Sequence, residues 1–427
     1  MTKIHSVLMG KAIRRVARLR GGSGSALPGL VVEKIDKSFV TSALAKLPHG
    51  VVIISGTNGK TTTTKMVVEL LESQGLRVFT NRTGSNFSRG VAAALLADMN
   101  ARGNLSADVA VLEMDEAHAV HFAEKVRPRH CLLLNVMRDQ LDRFGEIDHT
   151  AKLLHRIAQA TTEGIVLNRD DPRLVSDTFL RDITAPISSF GVSTDLIAQF
   201  PSDDDMHSQS DNTKKTPTFD DDTCLEAIEG QEVTLSYGDT AKKISLKLNG
   251  IYNILNAVGA VALCRQITGD DFNEAAMLDA LANVTPAFGR GENITVGGQP
   301  CQLVLVKNPS GFRLGLQSFN PKGYATMIAI NDDYADGRDM SWLWDVNFDS
   351  LKKDGVFELS GTRAYDMALR LQYDDVNLSH VDTDIRRALR NFLHAADGKP
   401  KRIYCTYTAM LAVRRELSKV AEVKEIG

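Results

Sequence analysis

The chain has 427 residues, 43% of them hydrophobic and 24% charged, with 50 Lys and Arg against 53 Asp and Glu and a formal net charge of −3. That length fits two or three domains of roughly 150 residues, and the balance excludes a disordered chain and a strongly basic nucleic-acid binder, leaving a small soluble substrate or a protein as the expected partner. No apolar run approaches the ~18 residues that cross a bilayer, so no transmembrane segment and a cytoplasmic location are expected. The cysteines Cys131, Cys224, Cys264, Cys301 and Cys405 form no CxxC pair. They read as buried, reduced thiols, with no zinc ribbon, iron–sulfur cluster or disulfide framework.

In chain order, Arg14, Arg15, Arg18 and Arg20 precede a glycine-serine run at 21–25, with no apolar core of the kind a signal peptide carries. Residues 1–47 read as a short basic helix and hinge packing on the domain that follows. Buried strands are predicted at 51–55, 109–113, 131–136 and 165–168, with helix-length segments between them, the pattern of a parallel-rich α/β sheet. Residues 200–222 carry two aspartate triplets and too little apolar surface to pack, and read as a flexible acidic insertion. A glycine-rich stretch at 289–298 marks a boundary, after which strands at 303–307, 325–331, 356–359 and 402–406 suggest a second α/β unit, Rossmann-like in type. The domains expected are thus 48–293 and 294–427.

The segment Gly56, Thr57, Asn58, Gly59, Lys60, Thr61, Thr62 follows the first strand and opens a helix with Met66, Val67, Leu70 and Leu71 on one face. Strand, glycine loop and helix are the setting of a P-loop. Its glycines let backbone N–H groups turn onto phosphate oxygens, the helix N-terminus adds partial positive charge, and Lys60 supplies a point charge. Thr61 is placed to offer its hydroxyl to magnesium, and Glu113, ending a neighbouring strand, is the expected carboxylate ligand. Asp115 and Glu116 follow it, either as further ligands or as a solvated acidic turn.

The ordered motifs GTNGKTTTT at 56–64, TGSN at 83–86, Glu113, NVMRDQLDR at 135–143, NRDDP at 168–172, GIYNILN at 250–256 and GRGE at 289–292 resemble the ATP site of the Mur ligases. The resemblance implies a P-loop ATPase central domain with a C-terminal ligase domain, and ATP and Mg2+ as cofactors. It also implies that Thr83, Ser85 and Glu113 serve magnesium, that Asn253 and Asn256 hold the adenine side, and that Arg290 reaches the nucleotide. Each role suits the residue's chemistry.

Only about 50 residues precede the P-loop strand, so no counterpart of the N-terminal domain that binds the UDP end in amino-acid-adding Mur ligases is expected. The C-terminal segments KNPSGF at 307–312, NDDYADGRDMSWLWDVNF at 331–348, TRAYDMALRL at 362–371 and YTAML at 407–411 resemble the MurT subunits of lipid II isoglutaminyl synthases. Many MurT proteins carry a four-cysteine zinc ribbon; here the acidic stretch and Cys224 stand in its place, and no zinc is expected. The Mur DHxD motif reads Asp139, Gln140, Leu141, Asp142, and glutamine is a poorer magnesium ligand than histidine or carboxylate. Lys152 is the nearest candidate for a carbamylated lysine.

By resemblance, the reaction is amidation of the D-glutamate α-carboxylate of the lipid II stem peptide to D-isoglutamine through an acyl phosphate, at the inner face of the membrane. Lys307 is the expected cation near that acyl phosphate. No Cys-His nucleophile arrangement is recognisable in this sequence, so the ammonia is expected from a partner, the glutaminase subunit GatD. An aspartate of MurT is held to complete the partner's Cys-His pair, and Asp345 matches it, with Asp332, Asp333, Asp336 and Asp339 as rival acids. Trp342 and Trp344 read either as interface anchors or as core. Two other readings stay open: an amino-acid-adding ligase akin to folylpolyglutamate synthase, which TRAYD and YTAML oppose, and a non-catalytic nucleotide-binding scaffold, which Lys60, Thr61 and Glu113 oppose.

Overall fold

Runs that are apolar at nearly every position become strands covered on both faces. Val51–Ser55 (β1), Val109–Glu113 (β3), His130–Leu133 (β4) and Gly164–Asn168 (β5) are buried throughout. The computed structural model describes residues 7, 9–13, 27–81, 88–139, 147–200, 202, 219–238, 240–248, 250–285, 290–319, 321–396 and 398–423. Among these, with Val78–Thr80 (β2), Ile187–Val192 (β6), Asp222–Glu229 (β7), Glu232–Tyr237 (β8) and Thr240–Ser245 (β9), the first sheet runs β2-β3-β1-β4-β5-β6-β7-β8-β9. Pairing is parallel from β2 to β7, and antiparallel from β7 to β9.

Alternate residues of β1 feed different cores. Val51 and Ile53 join a cluster with Leu27–Ile35 (α1), Phe39–Leu44 (α2), Ser88–Asp98 (α4), Glu116–Lys125 (α5) and Ile147–Ala160 (α6). Val52 and Ile54 join another, with Lys60–Ser73 (α3), Ile251–Thr268 (α8) and Glu274–Asn283 (α9); Asp177–Leu180 (α7) is a short turn of helix. Because β1 lies between β3 and β4, the chain order reverses beside it, and the crevice at the strands' C-terminal ends is where such sheets take ligands.

The second sheet runs β10-β11-β15-β12-β13-β14, from Arg290–Val296, Gln299–Leu305, Lys401–Cys405, Ala325–Ala329, Val356–Ser360 and Leu378–Val381 respectively. Only β10 and β11 pair antiparallel. Pro309–Ser318 (α10) and Ala364–Tyr373 (α11) cover one face, Ile385–Ala395 (α12) and Tyr407–Leu417 (α13) the other.

The second sheet opens at Arg290, whose backbone pairs with Val304. Two sequence expectations are corrected. Lys307 lies past the end of β11 rather than in a strand, where the chain turns into α10. The acidic stretch does not stay polar and loose to residue 222: Asp222 opens β7 and pairs with Arg169 at 2.5 Å, and Asp221 pairs with Arg265 at 3.0 Å. Residues 203–218 lie outside the described residues.

Candidate active site

The loop after β1 is shaped by glycine and by a neighbouring segment. Gly56 and Gly59 have φ of 135° and 91°, values that side chains disfavour. Just beyond β4 the chain stays beside the loop instead of extending the strand: Thr57 N–H donates to Asn135 O at 3.0 Å and Asn58 N–H to Asn135 Oδ1 at 2.9 Å. Asn135 Nδ2 donates back to Asn58 O at 3.0 Å, and Met137 N–H to Thr57 Oγ1 at 3.0 Å. These bonds explain why β4 stops at Leu133, short of the predicted residue 136.

Lys60, the first residue of α3, is 5% exposed. Its Nζ donates to Gly56 O at 2.5 Å, Thr57 O at 3.3 Å and Glu116 Oε1 at 3.1 Å. Burial works against its charge, but Glu116, Asp115 and Asp139 outweigh burial and hold its pKa above the ordinary lysine value. Burial pushes Glu116 up, against the pull of Lys60. Glu116 is therefore no solvated turn residue; it is a buried counter-ion, and a lone carboxylate after a strand carries no sign of which lysine it will meet. Thr62 is buried, with no partner for its hydroxyl among the described residues.

Thr61 Oγ1 donates to Glu113 Oε1 at 2.8 Å, so the two expected magnesium ligands lie together. Asn81 fixes the end of β3, accepting from Glu113 N–H at 3.0 Å and donating to Glu113 O at 2.8 Å. One hydroxyl and one carboxylate fit magnesium, which keeps most of its shell for water and phosphate oxygens. Among the described residues no three His, Cys, Asp or Glu side chains are grouped so as to hold a metal ion. Thr83, Ser85, Gln140, Leu141 and Asp142 lie outside the described residues, and Arg290 is described only by its backbone in β10.

A cleft beside the loop is lined by Asn58 and Gly59, by Asn253 and Asn256 of α8, and by Lys307 and Gly311 at the start of α10. Asn253 and Asn256 share a helix face three residues apart, and a Cβ on Gly59 would lie 2.5 Å from Asn256 Nδ2. Phe200, Tyr252 and Phe319 add aromatic walls, and Phe200 and Tyr252 meet edge to face at 5.5 Å. Asp170 and Asp171 line the same cleft, and burial pushes both to about 6. Lys152 lies in α6 and is not among the lining residues.

The C-terminal unit reaches the loop through the N-terminus of α10. Asn308 is fully buried and caps the helix, its Oδ1 accepting from Gly311 N–H at 2.6 Å. Its Nδ2 donates to Asp139 Oδ1 at 2.9 Å and to Asn58 Oδ1 at 3.4 Å, while Ser310 Oγ donates to Arg138 O at 2.7 Å. Sequence reasoning missed this junction, although Asn three residues before Gly with Pro between is a helix-start signal.

Asp345 does not line the cleft. It is exposed at the end of the 3₁₀ turn Ser341–Asp345. The rival Asp336 is buried and accepts from Thr408 N–H at 2.8 Å, and Asp332 accepts from Arg363 at 2.8 Å. The two tryptophans divide: Trp342 is 3% exposed and packs 6.4 Å from Phe312, whereas Trp344 is 48% exposed and lies 5.0 Å from Tyr373. Tyr365, Leu369 and Tyr373, at four-residue spacing on α11, are exposed too.

Comparison with known proteins agrees with this layout. Residues 54–264 match the Mur ligase middle domain, and residues 305–410 match the MurT ligase C-terminal domain. The chain is 30% identical to the lipid II isoglutaminyl synthase (glutamine-hydrolyzing) subunit MurT of Streptococcus pneumoniae, over 93% of each. In fold it is similar to MurF of Acinetobacter baumannii, with a TM-score of 0.68 at 17% identity over 92% of this chain and 80% of that one. MurF ligase of Thermotoga maritima in complex with ADP gives a TM-score of 0.65 at 16% identity, over 90% and 82%.

Proposed function

The chain belongs to the MurT family of the Mur ligases, and from that premise we propose that it is the ligase subunit of a lipid II isoglutaminyl synthase, using ATP and Mg2+ to amidate the D-glutamate α-carboxylate of the stem peptide. A carboxylate and ammonia need a leaving group on carbon before an amide can form. ATP supplies it: the carboxylate takes the γ-phosphoryl group, ammonia attacks the acyl phosphate, and phosphate departs. The protein's part is positioning and charge neutralisation.

The observation that carries this reading is that the loop leading into the buried Lys60 and the Thr61–Glu113 pair lines, through Asn58 and Gly59, one cleft with Asn253, Asn256, Lys307 and Gly311. In this reading Lys60 and the backbone of Gly56, Thr57, Asn58, Gly59, Thr61 and Thr62 hold the phosphates. Asn253 and Asn256 take the base side, with Arg290 near it. Magnesium neutralises phosphate charge when bound, and Thr61 and Glu113, with Thr83 and Ser85 by resemblance, are its protein ligands. Lys307 stands by the acyl phosphate from the other domain.

Ammonia is supplied by a glutaminase subunit of the GatD type, which seats against the C-terminal unit so that Asp345 completes its Cys-His pair. The exposure of Asp345 next to Trp344 and the Tyr365, Leu369, Tyr373 stripe supports that seat, because aromatic side chains dominate the centres of protein interfaces. No helix among the described residues is long and apolar enough to cross a membrane. In this reading the reaction runs at the cytoplasmic face, where the lipid-linked substrate is reached from solution.

The test is amidation of lipid II by the purified complex, read by mass spectrometry with glutamine or ammonium as nitrogen source. Lys60→Ala should lower turnover with both sources by about 10²-fold or more, as loss of a preorganised charge partner does. Normal turnover in that variant would end the reading.

A further inference from the structure

The exposed Asp345 sits on a turn whose backbone is held from below by one buried side chain. Arg370 of α11 is 7% exposed. Its Nε donates to Leu343 O at 3.2 Å, its Nη2 to Val346 O at 2.5 Å, and its Nη1 to Asp374 Oδ1 at 2.6 Å. The other oxygen of Asp374 accepts from Phe348 N–H at 2.9 Å. The guanidinium also lies 5.4 Å from the ring centres of both Trp344 and Phe348. Bonds therefore grip the chain two residues before Asp345 and one and three residues after it, while the aspartate itself points outward.

A 3₁₀ turn of five residues has little rigidity of its own. The planar fork of arginine can satisfy two carbonyls and a carboxylate at once, and lysine, a point donor on a flexible stem, cannot. We infer that Arg370, backed by Asp374, is the positioning residue that holds Asp345 where the partner glutaminase needs a carboxylate. This rests on the reading that Asp345 completes the partner's Cys-His pair. Such a carboxylate orients the imidazole and favours its protonated form, and a displacement near 1 Å is enough to lose much of that effect.

The experiment uses the purified two-subunit complex at saturating partner and compares Asp345→Asn, Arg370→Lys and Asp374→Asn. The readout is the ratio of glutamine-driven to ammonium-driven amidation, with the pH profile of residual glutamine hydrolysis as a second measure. The expected result is a fall in the ratio of at least about 10-fold for Asp345→Asn and Arg370→Lys, a smaller fall for Asp374→Asn, and an acid limb moved to lower pH as the imidazolium loses its carboxylate. A structural role alone would lower the melting temperature without moving ratio or profile. Should Arg370→Lys fail to fold, Asp374→Asn decides alone. If Asp345→Asn lowers the ratio while the folded clamp variants keep it, the clamp is refuted and the seat survives. An unchanged ratio in Asp345→Asn overturns the underlying reading and the inference with it.

Discussion

At the scale of single residues, the P-loop depends on a position without a side chain. Gly59 has φ of 91°, and an added Cβ would meet Asn256 Nδ2 at 2.5 Å. Alanine there adopts a left-handed backbone at a cost of about 1–2 kcal/mol and displaces the amide assigned to the base side. The expected outcome for Gly59→Ala is a rise in the KM for ATP of about 10-fold, the same 1.4 kcal/mol per decade that governs any binding loss, with a fall of only a few degrees in Tm. An unchanged KM would show that Asn256 does not serve the nucleotide. The same loop was legible in the sequence because glycine, lysine and threonine at fixed offsets do their chemistry locally. Glu116 was not legible as the partner of Lys60, since that pairing depends on how β3 lies beside β1 and no local spacing encodes it.

At the scale of elements, continuous apolar runs announced the parallel strands, but two features stayed hidden. The meander β7 to β9 is half-exposed and only β8 alternates buried with more exposed positions, so it carries a weaker signal than the buried strands. The second is Glu358 in β13. It is fully buried, and neither carboxylate oxygen has a hydrogen-bond partner among the described residues. Burial first, then the nearby Asp382, pushes its pKa to about 7. Between the ordinary value of 4.5 and about 7 the folded chain keeps a proton that the unfolded chain has released. The contribution of this residue to stability is thus full below the lower value and declines as pH rises through that window. Thermal unfolding measured from pH 5 to 8 should show Tm falling as pH rises, and Glu358→Gln should flatten that part of the curve. An unchanged slope in the variant would show that Glu358 is not the group responsible.

At the scale of the whole molecule, the two sheet units meet where the chemistry is proposed. Asn308 and Ser310 hold Asp139, Asn58 and Arg138 across the junction. Asn308→Ala loses both a helix cap, worth about 1 kcal/mol, and the contact that presents Lys307. Turnover with ammonium should fall by about 10²-fold, as misplacement of a reacting partner does, and turnover with glutamine should fall by the same factor. A loss confined to glutamine would move Asn308 to the partner's half of the reaction. Equal loss would separate this junction from the Arg370 clamp.

Phe312 belongs to both halves. It lies in α10, four residues after Asn308, and its ring packs 5.1 Å from Phe348 and 6.4 Å from Trp342, on either side of the Asp345 turn. To the extent that a second chain docked against that aromatic knot tightens ATP capture, thermodynamic reciprocity requires ATP to tighten docking by an identical factor.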